Sequence, residues 1–260
     1  MNTEALSEEK CAIVREVPES YAGCIRPAGS SDPIDVDLAD TQHGAYCDVL
    51  LGLGLELIRL DADERYPDCC FVEDTAIIAG GLAIIARIGA DSRVGEEAAV
   101  RERLREHMEV HELENPARID GGDVLVIGDR VYVGLGGRTN RDALDQVRRL
   151  LEPAGCEVIP VALSDVLHLK SACTYLGNGH ILMRSGFPER ALFDQYRMVE
   201  VPREEEYAAN CLSVRGRVLV SAGYPRTRDL IEAAGFETIE IEMSEFRKGQ
   251  GSLTCLSKVF

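Results

Sequence analysis

The stretch GSLTCLSKVF, residues 251–260, sets Cys255 among a glycine, two hydroxyl residues and apolar neighbours. A cysteine thiolate is a nucleophile when a distant histidine serves it as acid and base. His168, in HLKS, is the histidine placed for that role. It opens a repeat unit, as Asp120 and Asp74 do, and equivalent positions of a ring converge on its axis. His43 falls in a helix and His180 at a hairpin. His107 and His111, four apart in a charged stretch, read as surface residues rather than a metal pair. Asp68, Glu73 and Asp74 lie within seven residues beside an apolar run. A buried carboxylate needs a cationic partner. The cluster therefore reads as a socket for a cation such as guanidinium, with its five N–H donors, or else as a solvated strand end. Asp120, ahead of two glycines, can reach into a central channel. Arg93 and Arg138 stand in equivalent loops and together can clamp a carboxylate; either alone reads as a surface arginine. All of these on one mouth suit a small molecule with a guanidinium at one end and a carboxylate at the other: arginine or a relative. The competing reading of Cys255 is a structural cysteine on a core strand, because Leu253, Cys255, Ser257 and Val259 alternate.

Repeated elements must hold these residues. One unit reads clearly: strand DVLVIG at 123–128, strand VYVGL, an amphipathic helix over roughly 139–152 and the strand CEVIPV. Ala143, Leu144, Val147, Leu150 and Leu151 share one helix face. A second copy has strands 70–78 and 82–88, a helix at 95–107 and a strand at 109–113. Two more are hairpins around Asn178-Gly179 and Arg215-Gly216 with their following segments. The fifth is split between the two ends of the chain. Residues 253–259 and 12–17 are its paired strands, 36–52 its helix and LELIRL its last strand. Five such units predict a closed α/β ring, in which repetition about an axis protects strand edges.

Composition narrows the function. The chain has 260 residues and a net charge of −17, with 28 Lys and Arg against 45 Asp and Glu. That balance argues against binding nucleic acid or an anionic membrane. Lysine occurs only at 10, 170, 248 and 258. No stretch has the length and apolarity of a membrane helix, and residues 1–17 show no signal peptide, so a cytoplasmic protein is expected. Nine scattered cysteines without a CxxC pair read as free thiols and argue against a structural zinc site.

Nearly the whole chain resembles the dimethylarginine dimethylaminohydrolases of the guanidine-modifying propeller superfamily. The matching pieces, in order, are PES at 18–20, PDCCFVEDTA at 67–76, GADSRVGE at 89–96, DGGDVL at 120–125, VGLGGRTN at 133–140, HLKS at 168–171, VPREEEYAANC at 201–211 and GSLTC at 251–255. The resemblance implies an α/β fold, a five-bladed propeller (pentein) of ββαβ units whose last blade both termini close. It implies one catalytic domain over 1–260, acting on methylated arginine to give citrulline and a methylamine, with no cofactor and no metal. Cys255 matches the nucleophile, His168 the acid and base, and Asp120 an acid near that histidine. Glu73 and Asp74 match acids near the guanidinium, and Asp68 the ligand of the α-amino group. Arg93 and Arg138 match the carboxylate clamp. Gly249 matches a position whose backbone meets substrate, and Ile25 a lid residue in a Gly-, Pro- and Ser-rich loop at 23–36. Cys70 stands where some relatives have valine, which predicts a second reactive thiol; Leu256, after the nucleophile, is a further departure. Both monomers and dimers occur on this fold, so a homodimer is compatible. The rivals are an arginine deiminase or an amidinotransferase, both usually longer, and a non-catalytic ribosome-binding propeller, which needs none of these residues together.

Overall fold

The computed structural model describes residues 9–260; residues 1–8 of the stretch read above for a signal peptide lie outside them. Five three-stranded sheets follow one plan. The first combines β1 (Cys11–Arg15), α1 (Val36–Gly52) and β2 (Glu56–Leu60) with β15 (Lys258–Val259) from the other end of the chain. The second has β3 (Ala76–Ala79), β4 (Leu82–Ile85), α2 (Glu97–Arg105) and β5 (Glu109–Glu112). The third has β6 (Val124–Ile127), β7 (Arg130–Leu135), α3 (Arg141–Leu151) and β8 (Glu157–Ala162). The fourth has β9 (Cys173–Gly177), β10 (His180–Arg184) and β11 (Arg197–Val201), with a single 3-10 turn at Arg190–Phe193 in the helix position. The fifth has β12 (Leu212–Val214), β13 (Arg217–Ser221), α4 (Pro225–Ala233) and β14 (Glu237–Ile241). In every sheet the first strand is antiparallel to the middle one, and the middle one is parallel to the third.

Local chemistry explains these elements. Asn178-Gly179 and Arg215-Gly216 have φ of 50° and 72°, and of 51° and 76°, the left-handed pair that a tight hairpin turn needs. Asn140 caps α3 by accepting from the Ala143 N–H, which satisfies a donor the helix itself cannot. The helix then buries Ala143, Leu144, Val147 and Leu151 against its sheet, as its periodicity predicts. Middle strands β1 and β4 are buried along their whole length, which favours the runs AIV and LAII. Ala12 pairs with Val259 and Ile13 with Lys258, so both ends of the chain close one blade as expected.

Five 3-10 turns position the site. They are Val72–Thr75, Gly121–Asp123, Leu169–Ser171, Arg203–Ala209 and Leu253–Leu256. Each leads into the first strand of a blade; the first four touch in succession, the last touches the first, and Asn210, just after Arg203–Ala209, bonds to the last. Two expectations are corrected here. Strand β3 begins at Ala76, so Glu73 and Asp74 lie on a turn rather than within the strand expected at 70–78. Cys255 also lies on a turn, and the C-terminal strand is only Lys258–Val259. A short helix, α5 (Ser244–Lys248), unforeseen in the sequence, delivers the chain to the Gly249–Gly251 segment.

Phe246 of α5 is fully buried, with ring centroids 5.6 Å from Tyr21 and 6.2 Å from Phe71. Deleting a buried aromatic costs about 3–5 kcal/mol. Phe246→Ala is expected to lower the unfolding free energy in denaturant by that amount, and a loss below about 1 kcal/mol would show that this cluster does not secure the segment before Cys255.

Candidate active site

Cys255 is held by a turn that Asn210 ties down. Ser252 caps the turn, and its backbone N–H donates to Cys255 Sγ at 3.4 Å. Asn210 Oδ1 accepts from both the backbone N–H and the hydroxyl of Thr254, at 3.1 and 3.0 Å. The Asn210 carbonyl accepts from the Ser252 hydroxyl at 3.1 Å. Tyr207 OH donates to the Gly251 carbonyl at 2.8 Å. A Cβ on Gly251 would stand 2.2 Å from the Phe71 ring, so only glycine fits there. Cys255 is half-buried and opens onto a pocket whose lining includes Ile25, Asp68, Phe71, Asp74, Arg93, Arg138, Leu167, His168, Gly249 and Gln250. Burial, reinforced by the charges of Asp74 and Glu73, pushes the thiol up to about 12, against the opposing Ser252 N–H and Arg93.

Asp74 is the charge on which the pocket centres. Its Oδ2 accepts from Arg93 at 2.6 Å, and its Oδ1 from the Gly122 N–H at 3.0 Å. Burial alone would raise its pKa, but His168, Arg93 and the Gly122 N–H outweigh that and hold the carboxyl below its usual range. A Cβ on Gly122 would come within 2.8 Å of Asp74 Oδ1 and 2.9 Å of His168 Nδ1; the glycine lets carboxylate, amide and imidazole meet. His168 Nε2 lies 3.0 Å from Asp120 Oδ2, while Nδ1 stands 3.9 Å from Asp74 Oδ1. Burial disfavours the imidazolium, yet Asp74, the hydrogen bond to Asp120 and the charge of Asp123 raise its pKa to about 9. At neutral pH His168 is therefore an acid, with Nε2 anchored and Nδ1 on the Asp74 side. Asp120 is itself fixed by the Gly89 N–H at 2.6 Å and Arg138 at 3.3 Å.

Not every expected residue faces the pocket as its spacing suggests. Arg93, expected on the rim, lines the pocket but is only 4% exposed, its guanidinium engaged by protein groups. It binds Asp74, Glu96 at 2.8 Å and the Phe71 carbonyl at 3.0 Å. Burial lifts Glu96 to about 7 even beside that guanidinium. Arg138 keeps one ion pair, to Asp120, and reaches the pocket. Asp68 lines the pocket and accepts from the Ile25 N–H at 3.1 Å, which fixes the start of the loop at 23–36. Gly249 lines it too, and a Cβ there would meet Tyr21 OH and Cys24. Asp120 stands behind His168, outside the lining. Glu73 is 5% exposed, lies outside the lining and is held by Lys170 and Lys258. Cys70 is fully buried and its thiol is pushed well up by desolvation, which corrects the expectation of a second reactive thiol. Asn210, Tyr207, Phe71 and Glu96 were missed, although Asn210 and Tyr207 fall inside VPREEEYAANC.

Asp74, Asp120 and His168 bring ligand atoms within 4.8 Å of one another. Two guanidiniums already balance both carboxylates, a poor donor set for a resident cation.

Two titrations follow. The raised pKa of His168 stabilises the fold below about 6.5, the ordinary imidazole value, and that contribution is lost as pH rises through about 9. NMR of the His168 ring is expected to show imidazolium at pH 7, and a neutral ring there would refute the geometry. Alkylation of Cys255 by neutral iodoacetamide should be slow at pH 7 and rise steadily toward about pH 12. A cationic haloacetamidine should react far faster, because Asp74 draws it in; equal rates would contradict this.

Known proteins resemble this chain in sequence and in fold. A family profile described as eukaryotic N,N dimethylarginine dimethylhydrolase matches residues 26–186. The N(G),N(G)-dimethylarginine dimethylaminohydrolase of Pseudomonas aeruginosa is 38% identical over 84% of this chain and 87% of its own. That of Streptomyces coelicolor is 36% identical over 97% of each. The crystal structure of a Cys-to-Ser variant of the Pseudomonas aeruginosa protein, complexed with citrulline, superposes with a TM-score of 0.93 at 35% identity, over 97% of this chain and 99% of that one. The N-terminal domain of the arginine dihydrolase ArgZ, at 19% identity, shares the fold with a TM-score of 0.86. By sequence and by structure, the chain belongs to the dimethylarginine dimethylaminohydrolase family.

Proposed function

We propose that this chain is one catalytic domain that hydrolyses Nω-methylated arginine, asymmetric dimethylarginine or monomethylarginine, to citrulline and dimethylamine or methylamine. One observation carries the reading: a buried Asp74 anion beside a protonated His168, in the same pocket as Cys255. Two related structures support it, one holding citrulline and the other an adduct with S-methyl-L-thiocitrulline.

The substrate guanidinium enters against Asp74. Its positive charge offsets the anion that raises the Cys255 thiol, so the thiol loses its proton to solvent and becomes nucleophilic. The thiolate attacks the guanidinium carbon and forms a C–S bond. His168 then gives its proton, from the Nδ1 side that Asp120 leaves free, to the departing nitrogen as the C–N bond breaks. A thiouronium on Cys255, dimethylamine and a neutral imidazole remain. His168 next takes a proton from water, the hydroxide adds to the thiouronium carbon, and the C–S bond breaks to release citrulline. Arg138 faces the substrate carboxylate, and Asp68 with the Ile25 and Gly249 backbone faces the α-amino group.

Incubation with asymmetric dimethylarginine is expected to yield equal amounts of citrulline and dimethylamine, with little citrulline from arginine. Ammonia from arginine would make the protein a compact deiminase instead. Cys255→Ser is expected to abolish turnover, and an active serine variant would overturn the mechanism. Arg138→Gln should raise KM about 10- to 100-fold, the loss of a charged hydrogen bond, with a smaller fall in kcat because Arg138 also steadies Asp120 behind His168.

A further inference from the structure

Only four of the 28 basic residues are lysines, yet two of the four meet at one buried carboxylate. Glu73 Oε1 accepts from Lys258 Nζ at 2.9 Å and from Lys170 Nζ. Glu73 and Lys258 are about 5–6% exposed. Their places in the chain make this informative. Glu73 precedes Asp74 on the turn Val72–Thr75. Lys170 lies two residues after His168, on the turn Leu169–Ser171. Lys258 lies three residues after Cys255, as its turn becomes β15. The Glu73 carbonyl also packs on Gly121, where a Cβ would stand 2.1 Å away, next to the Gly122 that serves Asp74.

We infer that Glu73 is a positioning residue, a buried ionic clip that fastens together the three turns carrying Asp74, His168 and Cys255. The inference rests on the proposed hydrolysis for its kinetic readout and goes beyond the family resemblance, which places Glu73 near the guanidinium. A compact ammonium on a flexible stem suits such a junction. It donates from any direction, whereas a planar guanidinium imposes a fork geometry. Two cations on one carboxylate also draw the turns of His168 and Cys255 toward the same oxygen. Displacing a reacting group by about 1 Å can cost about 100-fold in rate.

The experiment is steady-state kinetics of Glu73→Gln, Lys170→Met and Lys258→Met against wild type, with asymmetric dimethylarginine. Each variant is expected to lose about 10- to 100-fold in kcat, with KM within about threefold, because the clip aligns reacting groups and does not grip substrate. The double variant Glu73→Gln/Lys258→Met removes an acid and a base together, so it restores thermal stability lost by either single change while kcat stays low. It also stands in where a single variant does not fold. A KM raised 10-fold or more in Glu73→Gln but not in the lysine variants would overturn the inference and make Glu73 a substrate ligand. Unchanged kcat in all three would overturn it too. Inactive wild type would instead refute the proposed reaction. The clip would then be read from iodoacetamide alkylation of Cys255, which needs no substrate: equal rates in wild type and variants would overturn it.

Discussion

A carboxylate without water is unstable unless cations and N–H donors surround it, and Asp74 imposes that requirement on much of this protein. Arg93 lies on the loop after β4, Gly122 on the turn before β6 and His168 on the turn before β9, and all three face this one group. Each partner must be held in turn. Glu96 orients Arg93, Asp120 orients His168, and the Gly89 N–H and Arg138 orient Asp120. Asp123, lifted to about 7 by burial, accepts from the Thr139 hydroxyl at 2.6 Å and the Leu169 N–H at 3.1 Å, which ties the loop carrying Arg138 to the turn after His168.

The propeller suits this task because its symmetry is also its address system. Each blade enters its first strand through a 3-10 turn, and the turns meet around one axis. A polar side chain on such a turn faces side chains from two neighbouring blades while the sheets behind it stay apolar. Cys255 belongs to the blade that both ends of the chain build. Its placement therefore depends on β15 pairing with β1, and on Tyr46 of α1, whose hydroxyl lies 2.6 Å from that of Ser257. Charge is organised in the same way. The anion that keeps His168 protonated also adds to the burial that keeps Cys255 a thiol, so a cationic substrate completes the ionisation state that catalysis needs.

Much of this was legible in the sequence, and the reasons differ between elements. The ββαβ order could be read because hairpin glycines and the amphipathic α3 are local signals, and α3 lies within two residues of where its periodicity puts it. The gathering of Cys255, His168, Asp74 and Arg138 followed from their equivalent places in the repeats. The turn under Cys255 was not legible. Leu253, Cys255, Ser257 and Val259 alternate as a strand does, and what bends the chain is Asn210, 44 residues from the Thr254 it binds. The direction of Glu73 was hidden because a side chain on a 3-10 turn obeys no twofold alternation. Arg93 likewise looked like a rim residue until Glu96, three positions on, was seen to draw it inward.

The most direct test of this account is Asp74→Asn, with the His168 ring followed by NMR and turnover followed by citrulline release. Removing the anion while keeping its shape is predicted to bring the His168 midpoint down from about 9 and to cut turnover by about 100-fold or more, the scale of a lost electrostatic contact in a buried site. A His168 midpoint unchanged by Asp74→Asn, or a variant that keeps full turnover, would contradict the claim that this one buried carboxylate governs the site.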